Sequence, residues 1–174
     1  ADQILFAARG ADPYTQSHPM PAERVSSLEA MAHNEFWDKK DPPELQLRHD
    51  LARAKLIGFM ERPDTVMRKY PITDNSIAAR YARAIAYYRV PDLPKAIPLV
   101  EGLIREAPDD PWFEELEGQM LFENGRGPEA IPEYRLAVQY LPDNALLLEE
   151  LGQAEVESED PAMAAEATKH LKTA

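Results

Sequence analysis

Between Ile77 and Asn144 the chain reads as two copies of one unit, 34 residues long. Ala96 returns as Ala130, Leu103 as Ala137, Pro108 as Pro142, and the pair Asp109–Asp110 as Asp143–Asn144. Ala84 returns as Gly118 and again as Gly152. A repeat of this length with helical patterning constrains the fold strongly. Each unit is a pair of antiparallel helices that cannot bury its apolar face alone, so successive units must stack on one another. Small residues on the first helix (Ala84, Gly118, Gly152) are expected to face small residues on the second (Ala96, Ala130, Ala164), letting the axes approach. Pro108 and Pro142 stop the second helix and set the turn into the next unit.

Period, small-residue positions and closing proline are those of the tetratricopeptide repeat. The expected fold is therefore all-α, a tetratricopeptide-type solenoid of antiparallel helix pairs in a right-handed superhelix. An N-terminal loop and capping helices should precede it. The units run 77–110, 111–144 and 145–174. Thr73 to Ser76 supply caps for the first helix, and Asn124–Gly125 is a helix stop. Arg80 and Arg83 stand where a large apolar residue is expected. Residues 41–76 read as a degenerate helix pair. Its long helix runs from Pro43 to about Met60, burying Leu47, Leu51, Ala54, Ile57 and Phe59, and a short one follows from Asp64 to Tyr70. Residues 1–40 contain a loop and a helix started by Pro21, with Val25, Leu28 and Met31 at helical spacing. Ala1 to Gly10 look like the middle of something, so the chain is expected to be a fragment or a processed form.

Composition narrows the function. The chain has 174 residues, 44% hydrophobic and 29% charged, with no cysteine, which excludes disulfides and thiolate metal sites. No apolar run approaches the length of a membrane span. The net charge of −12 is uneven: −2 over residues 1–76, +3 over 77–105 and −13 over 106–174. So acidic a distal half argues against nucleic acid as a partner. The sequence holds no HExxH, glycine-rich phosphate loop or GxSxG, and no two of His18, His33, His49 and His170 lie at ligand spacing on one helix. Glu114–Glu115 and Glu149–Glu150 diverge by about 100° around a helix and read as solvated. No catalytic or metal-binding residue is predicted.

The first helices of stacked units line a groove. On repeat spacing its candidate contacts are Tyr81, Ile85, Tyr88 and Arg89 from the first unit, Trp112, Glu115, Gln119, Phe122 and Glu123 from the second, and Gln153 from the third. Tyr81, Tyr88, Trp112 and Phe122 form an aromatic strip suited to an extended or helical peptide. Tetratricopeptide domains that clamp a C-terminal carboxylate place Lys and Asn here; this chain has Tyr81, Ile85, Glu115 and Gln119, which argues against that clamp. Leu171 should lack a covering helix, leaving the last unit open to homo-oligomer formation.

The segment Asp12-Pro13-Tyr14-Thr15-Gln16-Ser17-His18-Pro19-Met20-Pro21-Ala22-Glu23-Arg24 resembles the end of the peptidase domain in zinc metallopeptidases of the HtpX and CAAX-prenyl-endopeptidase kind. There a (S/T)HP…R segment follows the catalytic helices. In the BepA-like periplasmic branch that domain continues into a tetratricopeptide array. Leu47-Arg48, Ala54-Lys55-Leu56 and Phe59 are also similar to that branch. The resemblance implies a periplasmic protein in quality control of outer-membrane proteins, with clients or the assembly machinery as partners. It implies zinc in the full-length protein and none in this chain, which lacks the HExxH helix and third ligand and so should not hydrolyse peptides itself. It places His18 as a regulatory, zinc-proximal residue of the full-length protein. The alternative is a free-standing tetratricopeptide adaptor unrelated to proteolysis.

Overall fold

The computed structural model describes residues 21–32 and 40–174, and among them every regular element is an α-helix. The chain divides into two units, Ala1–Gln46 and Leu47–Ala174. In the first, α1 (Pro21–Ala32) opens on Pro21 as the sequence predicts, and α2 (Pro43–Met60) begins. The second holds the remainder of α2, then α3 (Pro63–Lys69), α4 (Ile77–Arg89), α5 (Leu93–Glu106), α6 (Pro111–Phe122), α7 (Gly127–Tyr140), α8 (Ala145–Glu157) and α9 (Ala164–Thr173).

Three helical hairpins, α4–α5, α6–α7 and α8–α9, begin at 77, 111 and 145, one 34-residue step apart. The residue before each start caps its helix with a side-chain oxygen. Ser76 Oγ accepts from the Ala79 amide at 3.3 Å, Asp110 Oδ1 from Trp112 at 3.1 Å, and Asn144 Oδ1 from Leu147 at 3.2 Å. Each satisfies an amide that the helix leaves without a carbonyl. The second helices of the first two hairpins start without a side-chain cap but with proline in the first turn, Pro94 and Pro128, where no amide is needed. Pro98 and Pro132 follow inside those helices, again 34 apart and both exposed. Gly125 takes a φ of +74° in the turn after α6, the conformation an L side chain resists.

From α3 to α9 each helix packs on the next, and α6 also touches α8. One core cluster joins Ala54, Val66, Tyr81, Ile85, Val100, Leu103, Phe113, Leu116 and Met120; a second joins Leu121, Ala130, Ile131, Tyr134, Leu151 and Ala154. The expected small-against-small contact does not describe the hairpins. A Cβ on Gly118 would lie 2.8 Å from the Tyr134 ring, and one on Gly152 would lie 2.6 Å from Leu171 Cγ. The bare backbone of the first helix is a hole, and a large side chain of the second helix is the knob that fills it. In the third hairpin the second helix starts nineteen residues after the first, against sixteen in the other two. The Ser158–Met163 turn absorbs the difference. Ala164, expected at the contact, is exposed, and Ala167 is buried in its place. Leu171 reaches Gly152 while remaining 42% exposed, so its own hairpin covers part of it.

Of the α2 residues expected to be buried, Ala54 is, Leu51, Ile57 and Phe59 are half-buried, and Leu47 is exposed. Arg83, out of pattern in the sequence, is 4% exposed, and its Nη1 donates to the carbonyls of Tyr70 (3.3 Å), Pro71 (2.8 Å) and Asp74 (2.8 Å). It holds the α3–α4 turn from inside, adding to the bond that the Asp74 amide donates to Pro71 at 2.9 Å. Arg80 pairs with Glu106 and donates to the Asn75 carbonyl at 3.2 Å.

Candidate functional site

The residues predicted to line a groove divide into two groups. Tyr81 and Ile85 are 2% and 0% exposed and cannot meet a guest. Ile85 packs on Gly58 of α2, where an added Cβ would lie 2.9 Å from Ile85 Cβ, and the Tyr81 ring meets Phe113 edge-on at 5.2 Å. Repeat spacing assigns these positions to an open face; α2, which lies outside the repeat frame, covers Ile85, and Phe113 of α6 closes on Tyr81. The Tyr81 hydroxyl is sealed without a partner, and burial, with Glu115 and Asp110 nearby, pushes its pKa upward. Glu115, also expected on the open face, is 3% exposed and pairs with Lys55 of α2 at 2.8 Å. Arg89 is a structural residue: its Nη1 donates to the carbonyls of Gly58 (3.0 Å) and Glu61 at the end of α2, where a cation suits the negative pole of the helix.

The second group stays accessible. Tyr88 is half-buried, stands edge-on to Phe59 at 6.5 Å, and donates its hydroxyl to Glu123. Trp112 is half-buried with the Lys55 ammonium 5.0 Å from its ring centre, a cation–π contact. Gln119 donates to the other Glu123 oxygen at 2.9 Å. Gln153 is exposed and donates to Glu149 at 3.0 Å. Phe122 is half-buried beside the second core cluster. His18 lies outside the described residues.

Lys55 and Glu150 complete this surface, and neither belongs to the predicted set. Glu150 was read as solvated, yet its Oε2 is sealed from water and accepts no hydrogen bond. Burial raises its pKa to about 8; Glu115, Glu149 and Glu123 add to the rise and Lys55 opposes it. Tyr134 lies in the same field: its pKa rises through burial first, then through Glu150, Glu115 and Glu123. The face therefore presents aromatic rings and amides among carboxylates, with one ammonium already engaged by both Glu115 and Trp112. Such a surface can accept hydrogen bonds and attract positive charge.

Glu114, the other half of the pair read as solvated, is 4% exposed. Both glutamates are buried because α6 packs against α5, α7 and α8 and retains little free face. Glu155 is buried between two helices, with Arg135 of α7 at 3.1 Å and His170 of α9 at 2.8 Å. That pairing gives His170 a structural part in closing the last hairpin. His49 is exposed beside Asp50.

Among the described residues no three histidine or acidic side chains converge as metal ligands, and no helix is long and apolar enough to cross a membrane. No protein-family profile matches the chain, and no curated protein matches it.

Proposed function

We propose that residues 47–174 form a polypeptide-binding module of tetratricopeptide type, its hairpins continuing as a right-handed superhelix. The guest lies across the accessible residues of α4, α6 and α8. The observation that carries this reading is the side-chain cap before each first helix at 76, 110 and 144, which recurs with the three hairpins at the interval of that repeat. Tyr88, Trp112, Gln119 and Gln153 then supply rings and amides for an extended segment. Glu123 and Glu149 favour a guest rich in lysine or arginine over an acidic one.

A titration with labelled extended peptides tests this. Basic, aromatic-containing peptides should bind, and the combined Tyr88→Ala and Trp112→Ala variant should lose at least about tenfold in affinity with its helical circular dichroism unchanged. Wild-type affinity in that variant removes the surface, and equal binding of acidic peptides removes the charge preference.

The segment from Asp12 to Arg24 supports a further assignment of this module as the noncatalytic part of a periplasmic zinc metallopeptidase. Its guests are then outer-membrane protein clients or their assembly machinery, with zinc held elsewhere in the full-length protein and His18 near it. The gene sequence upstream of Ala1 tests this directly. An HExxH preceded by a signal peptide supports it, and a start codon close to Ala1 replaces it with the free-standing adaptor. In the full-length protein, unchanged proteolysis after His18→Ala removes the role of His18.

A further inference from the structure

Turned about 100° around α6 from Glu115, Glu114 faces a different neighbourhood and takes no part in the accessible surface. Its side chain is buried, and its Oε2 is closed to water and receives no hydrogen bond from any donor. The group facing it is another carboxyl, Glu133 of α7, at hydrogen-bonding range. Glu117, one turn along α6, lies in the same field, with Glu101 of α5 beyond it. Two cations approach this face and both are engaged. Arg105 of α5 lies 3.8 Å from Glu101, and Arg126 in the α6–α7 turn grips Glu129 through two bonds of 2.7 and 2.6 Å. Glu150 of α8 belongs with Glu115 on the other side.

Two carboxyl groups in contact, one sealed from water, are stable only when one of them carries a proton and donates it to the other. We propose that the buried Glu114 carboxyl keeps its proton, directed at Glu133, and makes the α6–α7 hairpin a proton-dependent joint, closed in mildly acidic medium and weakened when that proton leaves.

The sign follows from the titration. Burial first, then the bond and charge of Glu133, then Glu117, raise the Glu114 carboxyl from 4.5 to about 7. Burial, Glu133 and Glu101 raise Glu117 to about 7 as well, against Arg105 and Arg126. Both groups hold protons more tightly in the folded chain than in the unfolded one. Their contribution is therefore present in full below about pH 4.5 and is lost as the pH rises through about 7.

Two measurements on the whole chain test the joint. The first is urea unfolding at pH 5, 6, 7 and 8 for the wild type, Glu114→Gln, Glu133→Gln and, as a control for net charge, Asp143→Asn. The wild-type folding constant should fall at least about tenfold more between pH 5 and 8 than that of Glu114→Gln, with Asp143→Asn following the wild type. The second is a carboxyl carbon NMR titration of the wild type, which does not depend on a variant folding. A Glu114 midpoint well above 6 supports the joint. A midpoint below about 5, or a Glu114→Gln pH profile that parallels the wild type, overturns it.

Discussion

Substituting Gly118 by alanine tests the knob-and-hole reading of the hairpins in one position. The new Cβ would lie 2.8 Å from Cδ1 and Cε1 of Tyr134 and 3.1 Å from Cζ. Carbon atoms rest at about 3.5–4.0 Å, so the ring or the helix must retreat by about 0.7–1 Å. Tyr134 is 2% exposed and belongs to the second core cluster, with Leu151 and Ala154, so the ring has no free direction. Overpacking of this kind costs about 1–3 kcal/mol, while alanine returns about 1 kcal/mol of helix propensity. The expected net loss is up to about 2 kcal/mol, as much as a roughly thirtyfold fall in the folding constant. The measurement is urea unfolding followed by circular dichroism, run as a double-mutant cycle with Tyr134→Leu. Without the ring, Gly118→Ala should change sign and stabilise. Gly102→Ala serves as the reference, because the nearest atom to its Cβ is Arg105 Nη2 at 3.9 Å, and it should gain about 0.5–1 kcal/mol. If Gly118→Ala stabilises the wild type as Gly102→Ala does, or acts identically with and without the Tyr134 ring, the packing argument fails.

Lys55→Met should cost about 3 kcal/mol, since it leaves the Glu115 carboxylate buried without its cation. Adding Glu115→Leu should recover most of that loss in the same denaturation assay, and a single variant as stable as the wild type would show that the pair is dispensable. Arg83→Met should cost about 2–4 kcal/mol by stranding the carbonyls of Tyr70 and Asp74, while Pro71 keeps the Asp74 amide as donor. Amide exchange should accelerate first around residues 70–80, and unchanged protection there would refute the role assigned to Arg83.

The frame of the fold was legible because it is periodic. Cap residues, closing prolines and the bare positions Ala84, Gly118 and Gly152 recur at fixed intervals, and the helix boundaries followed from them. The misreadings arose where information leaves that frame. Gly118 was matched with Ala130 because both are small, although the packing of one helix on another selects Tyr134, a turn further on. The third hairpin slipped because its turn is longer and carries no repeat signal of its own. Repeat spacing puts Ile85 on an open face because nothing in the repeat announces that α2 covers it, and it puts Tyr81 there although Phe113 of the next hairpin closes on its ring. The burial of Glu114 and Glu115 was hidden for a related reason. A charged residue on a helix is usually solvated, and only the neighbours of α6 on several sides make these two exceptions.

The shared cap before each hairpin also bears on how such a chain can change its length. A break just ahead of Asp110, rejoined just ahead of Asn144, removes one whole hairpin and leaves a side-chain acceptor at the seam. Duplication at the same two points adds a hairpin in the same manner. Gene rearrangement can therefore lengthen or shorten the array without devising a new junction, whereas the third hairpin, with its wider turn and Leu171 seated on Gly152, does not share that interchangeable spacing.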